Sequence, residues 1–89
     1  MAAESKLQKK IRLYLKKRGW YVTKHMLTSG NGWPDMEMIK NGRTVRIEAK
    51  SVGKDAKPLQ KYVHYKIRKH GGEVYVVDTW EKFLDLKLD

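Results

Sequence analysis

The sequence predicts a single α/β domain over residues 1–89, with elements in the order helix, three strands, helix, strand. Three observations predict it. Apolar residues recur at helical spacing in two basic stretches, one ending before Gly19 and one beginning at Pro58. Between them lie runs rich in β-favouring residues, two of which are joined by Asn41-Gly42, the dipeptide a type I′ hairpin turn prefers. Residues 73–77, EVYVV, form a short apolar run of the type found at the centre of a sheet.

Composition narrows the function. Twenty Lys and Arg stand against ten Asp and Glu, a net charge of +10, and a balance this basic points to a polyanionic partner, first of all nucleic acid. An acidic membrane surface or an acidic protein is the competing partner. The chain has no apolar run of the about 18 residues needed to span a membrane. Its opening, MAAESKLQKK, lacks the apolar stretch of a secretory signal. There is no cysteine, which excludes disulfides and thiolate zinc sites and leaves the cytoplasm as the default compartment. His25, His64 and His70 have no metal-ligand spacing, no GxxxxGK[ST] loop is present, and no Ser/His/Asp arrangement is visible. None of the histidines is expected to be catalytic, although His25 could contact a phosphate.

Residues 3–18 read as an amphipathic helix with Leu7, Ile11, Tyr14 and Leu15 as its apolar stripe and Gly19 as its C-cap. Glu4 falls within that stripe, one turn before it begins at Leu7. It either points at whatever the helix packs on or favours the helix dipole from solvent. Residues 20–27, WYVTKHML, suit a strand. The following loop, TSGNGWP, carries Gly30 and Gly32, which permit unusual φ or a close approach of backbone to a ligand. Trp33 beside them either packs or touches a base or sugar. After the hairpin comes a lysine-bearing loop, then a helix from Pro58 to about His70 that Gly71-Gly72 stops. Leu59, Val63 and Ile67 are its expected core stripe, with Gln60 and His64 on a neighbouring face. Residues 78–89 fit a helix by Trp80, Phe83 and Leu84, or a strand by Leu84, Leu86 and Leu88. They close the core or form a subunit contact.

The chemistry gathers in residues 33–50, WPDMEMIKNGRTVRIEAK. With Asn41-Gly42 as the loop, Lys40 faces Arg43 and every later pair sums to 83, so Asp35 falls opposite Glu48. Lys50 lies two residues further on the same face, and Met36, Met38, Val45, Ile47 and Ala49 line the other. Two carboxylates facing each other are destabilising unless something cancels their charge. A divalent cation with a preference for oxygen ligands, Mg²⁺ or Mn²⁺, would do so. The plainer alternative makes Asp35 a turn residue and Glu48–Lys50 a solvated ion pair.

Gly32-Trp33-Pro34-Asp35 and, after twelve intervening residues, Glu48-Ala49-Lys50 stand within this element order. Together with Glu4 in the first helix and Gln60 in the next, they resemble the PD-(D/E)XK nuclease superfamily. More narrowly, the chain is similar to the short stand-alone form of its VRR-NUC (virus-type replication-repair nuclease) branch, over about residues 4–77. The resemblance implies a restriction-endonuclease-like αβββαβ core, a mixed central sheet flanked by helices. It also implies that Asp35, Glu48 and the Ala49 carbonyl bind Mg²⁺ or Mn²⁺, with Glu4 reaching the ion through water. Lys50 would hold the attacking water or the scissile phosphate, and Gln60 would orient Lys50 or the phosphate. Lys54 and Lys57 depart from the pattern, standing where relatives often carry small polar residues.

The expected function is a metal-dependent DNA endonuclease acting on structure rather than sequence. Lysines on the helices and the intervening loop (Lys9, Lys10, Lys54, Lys57 and Lys61) are candidates for phosphate contacts. Stand-alone members of the branch are similar to resolvases of four-way (Holliday) junctions that work as homodimers, which makes branched DNA the expected partner and admits a virus- or phage-encoded origin. A flap or single-strand nuclease of the same fold, and a nucleic-acid-binding module without activity, are the rival readings.

Overall fold

The computed structural model describes residues 3–24 and 31–89. Along these, helix α1 (Ala3–Lys17) leads into strand β1 (Tyr21–Lys24), and β2 (Met36–Lys40) into β3 (Arg43–Ala49). Helix α2 (Pro58–Lys69), strand β4 (Glu73–Val77) and helix α3 (Trp80–Asp85) follow. The four strands form one sheet in chain order, β1-β2-β3-β4. The first three are antiparallel, and β4 lies parallel to β3, the arrangement that a helical crossover such as α2 makes possible.

Local chemistry fixes these boundaries. Gly19 takes φ +90° immediately after α1, and Asn41 and Gly42 take φ +51° and +80°, both positive as a type I′ turn demands. The hairpin register is the expected one: Lys40 pairs with Arg43, Met38 with Val45 and Met36 with Ile47. Pro58 opens α2, where its missing N–H is no loss, and Thr79 caps α3 by accepting from the Lys82 amide at 3.1 Å.

Alternation along the strands splits the sheet into two unlike faces. Met36, Met38, Val45, Ile47, Ala49 and Val77 are buried beneath Ile11 and Leu15 of α1 and Phe83 of α3. Each of these Met, Val, Ile, Leu and Phe side chains contributes about 1.5–3 kcal/mol. Tyr14 presents its edge to Trp80 and Phe83, at 5.3 and 5.4 Å between ring centroids. Residues 78–89 therefore form a helix followed by a buried Leu88, with Phe83 and Leu88 in the chain's own core and Leu84 exposed. Trp20 is buried just before β1, its indole Nε1 donating to the Asp89 carbonyl at 3.0 Å. The opposite face of β3 and β4, bearing Arg46, Glu48, Val74 and Val76, lies toward α2.

Helix α2 departs from the expected stripe. Its buried residues are His64 and Ile67, whereas Leu59 is half exposed. The helix is rotated so that Gln60 and His64 face the sheet, and Leu59 and Val63 instead meet the loop before Asp35. Gly32, at φ +82°, makes that contact possible: a Cβ there would lie 2.8 Å from the Leu59 carbonyl and 3.0 Å from side-chain carbons of Leu59 and Val63. The close approach anticipated at this glycine is thus to a helix.

Candidate active site

Asp35 occupies a bend just before β2, so its carboxylate escapes the strict alternation of the strand. Continuing the hairpin register by one pair places it opposite Glu48, which is 2% exposed. Its Oδ2 accepts from two donors, the Ala49 amide at 3.2 Å and Gln8 Nε2 at 3.0 Å. Glu48 has the opposite circumstances. Its Oε2 lies 3.6 Å from Lys50 Nζ and 3.5 Å from Gln60 Nε2, both long, and its buried Oε1 has no hydrogen-bond partner.

Electrostatics follow from this geometry. Burial, first, and then the neighbouring Asp35 push the Glu48 carboxyl up to about 8, against a smaller opposing pull from Lys50. Glu48 is therefore largely protonated near pH 7 in the metal-free protein, despite Lys50 beside it. Asp35, by contrast, is addressed by two N–H donors.

Gln60 is held by its own backbone neighbourhood. Its Oε1 accepts from the Lys57 amide at 2.8 Å, at the first turn of α2, which leaves Nε2 as the donor toward Glu48. Lys50 extends the β3–β4 pairing by donating its amide to the Val77 carbonyl at 2.9 Å, and its side chain is only 11% exposed. His64, one turn beyond Gln60, is buried with Nε2 unpartnered, and burial lowers its pKa. A neutral imidazole is therefore what this site contains near pH 7.

The structure thus brings together Asp35, Glu48, Ala49, Lys50 and Gln60. Glu4 is half-buried one turn before Gln8 on α1, and no group of three or more His, Cys, Asp or Glu side chains forms among the described residues. Glu4 accordingly makes no third carboxylate of a cluster with Asp35 and Glu48, and a link through water is all its expected role retains. The α1 residue that does touch the acid pair is Gln8, which sequence reasoning missed. A signal was there: Gln8 lies three residues before Ile11 and seven before Leu15, a polar residue inside the apolar stripe. Of the lysines, Lys9, Lys54 and Lys57 are exposed. Lys61 pairs with Asp55 at 3.0 Å, and Lys10 lies 4.4 Å over the Trp80 ring. His25 and Gly30 fall outside the described residues.

A mixed four-stranded sheet with helices on both faces, and an acid pair followed by a lysine where its central hairpin opens, defines an α/β fold of the restriction-endonuclease-like class. No family model matches the chain, and no curated protein does. A solved structure described as a VRR_NUC domain is similar to it with a TM-score of 0.88, over 98% of this chain and 96% of that one, at 25% identity. The chain folds as a VRR-NUC domain, a nuclease fold.

Proposed function

We propose that the chain is a metal-dependent, structure-selective DNA endonuclease that cuts four-way junctions as a homodimer. The observation that supports it most is the Glu48 carboxyl: buried, beside a second acid, raised to about 8, and with one oxygen unpartnered. As a stability device this arrangement is a loss, since a buried unsatisfied oxygen costs about 1–3 kcal/mol. As half of a binding site for a hard cation it is fitting, because both acids offer only oxygens.

Asp35 and Glu48, with the Ala49 carbonyl, are the residues that would hold Mg²⁺ or Mn²⁺. When bound, such an ion supplies a water of lowered pKa and Lewis-acid stabilisation of the phosphoryl oxygens. The chain's own residues do the rest. Gln8 and the Ala49 amide hold Asp35 in one orientation. Lys50 provides a fixed positive charge beside the acids, where the phosphate gains negative charge during attack. Gln60, pinned by the Lys57 amide, keeps a donor at the same point. The surrounding excess of Lys and Arg draws in the phosphate backbone without reading bases.

The homodimer rests on the resemblance, since Trp80, Phe83, Leu86 and Leu88 pack on the chain's own core and only Leu84 of that segment's apolar residues is left exposed. Cleavage of matched four-way junction, flap, duplex and single-stranded DNA, with Mg²⁺, with Mn²⁺ and with EDTA, tests the proposal. Paired symmetrical nicks in the junction, absent in EDTA and in Asp35→Asn, are expected. Asp35→Asn should keep or strengthen DNA binding, since it removes a negative charge beside phosphate. Cutting of flaps or single strands instead would overturn the substrate, and binding without any cutting would overturn the activity.

A further inference from the structure

The loop before Asp35, strand β3 and helix α2 enclose a cleft of about 530 Å³ that the proposed hydrolysis does not use. Its size falls in the range of about 300–1,000 Å³ typical of small-ligand sites. Trp33 and Tyr62 contribute aromatic rings, Val63 and Ile67 aliphatic surface, and Arg46 and Lys66 cationic groups. No carboxylate stands among the described residues that line it. Trp33 is half-buried, with the Arg46 guanidinium 5.4 Å from its ring, and Arg46 is in turn fixed by Glu37 at 3.1 Å. Tyr62 is 59% exposed, so its ring is open to a stacking partner.

We infer that this cleft receives an unpaired base of the DNA strand next to the bond being cut, stacked on Trp33 and Tyr62 with its phosphate toward Lys66. The chemistry of the lining matches a nucleotide: aromatic rings from Trp33 and Tyr62 for a base, and the Lys66 ammonium for its phosphate. Stacking on aromatic rings is tolerant of base identity, in keeping with a site that reads structure. Position supports it too. Arg46 precedes Glu48 by two residues on the same face of β3, a separation of about 6.6 Å along the strand. That is about two stacked nucleotide steps at 3.4 Å each. A base that has lost its partner at a branch is within that reach, whereas a base in continuous duplex is held in its stack. The assignment rests on the nuclease reading for its choice of strand.

The test uses a flap and a four-way junction with 2-aminopurine at successive positions from the branch, in EDTA so that nothing is cut. The probe is expected to lose emission at one position on binding the wild-type chain, and not on binding Trp33→Leu or Tyr62→Ala. Each variant should weaken binding of the branched probe by about 5- to 150-fold, the range for loss of one stacked base, and change duplex binding far less. Tyr62 lies on an exposed helix face, so Tyr62→Ala stands if Trp33→Leu fails to fold. Equal weakening of duplex and branched DNA, or emission that the variants leave unchanged, would overturn the assignment. So would quenching of free 2-aminopurine nucleoside monophosphate as strong as that of the branched probe, which would make this a site for free nucleotides. Cleavage of the same DNAs with Mg²⁺ separates the two proposals: cutting with no cleft signal leaves the nuclease standing alone, and a cleft signal with no cutting leaves the cleft.

Discussion

Raising the pH from 7 to 9 should destabilise the metal-free protein, and Glu48→Gln should abolish the effect. The sign follows from the direction of the shift. A carboxyl raised from 4.5 to about 8 in the folded state binds its proton more tightly folded than unfolded, so it contributes most at low pH and loses its contribution as pH rises through 8. At pH 7 the folded protein still holds that proton and the unfolded chain does not, which is worth about 1.4 kcal/mol, and by pH 9 almost none of it remains. For a domain of this size that is a fall in Tm of about 5–11 °C. His64 does not blur the window, because its lowered pKa acts below 6.5, where falling pH removes stability. The assay is thermal unfolding by circular dichroism in EDTA across pH 6.5–9.5, for wild type and Glu48→Gln. Glutamine keeps the shape and removes the ionisable proton, so its profile should be flat over this range. Mg²⁺ should restore the wild-type Tm at pH 9 and leave the variant unmoved. A wild-type profile as flat as the variant's, or a slope shared by both, would refute the claim that burial and Asp35 hold Glu48 protonated.

Further expectations rest on other residues. Gln8→Ala removes one of the two donors to Asp35; cleavage should fall about 10- to 100-fold with DNA affinity retained, measured by single-turnover rates and by gel shift. Gly32→Ala forces a Cβ to 2.8 Å from the Leu59 carbonyl at a positive φ, and urea titration should show a loss of about 1–3 kcal/mol. Affinity for duplex DNA should drop about 10³-fold or more between 50 and 200 mM salt if six or more phosphates are contacted, and a flat salt dependence would exclude backbone binding.

The hairpin was legible because two short-range rules decide it. Asn41-Gly42 sets the turn and the period of two sets the faces, so the pairing of Met36 with Ile47 follows by counting. The position of Asp35 opposite Glu48 follows in the same way. Helix α1 was equally readable from periodicity, whereas β4, legible as a strand from its apolar run, takes the edge of the sheet beside β3 and not its centre, because only Val74 and Val77 of it are buried. What could not be read were choices settled between elements. Leu59, Val63 and Ile67 have the spacing of a core stripe, yet α2 turns Gln60 and His64 toward the sheet because Gly32 lets the loop pack beneath Leu59 and Val63. Gln8 lies in the apolar stripe of α1, but only the fold reveals that Asp35, 27 residues away, is its partner. Residues 78–89 satisfied both periods, and in the fold Trp80 and Phe83 meet the edge of the Tyr14 ring from one helix.

The strand order has a kinetic meaning. Strands β2 and β3 join through a two-residue turn, whereas closing α2 over them requires β4 to arrive from beyond a helix. Local pairs form before distant ones, so Asp35 and Glu48 should meet early, while both are still hydrated and their repulsion is weak. Their desolvation comes later, when Gln60 and His64 settle on the sheet. The ionisation of Glu48 should then leave the refolding arm of a chevron nearly untouched and steepen the escape from the native state. Alkaline solution would make this protein open sooner without making it close more slowly, and an ion held between its two acids would act as a latch on that opening.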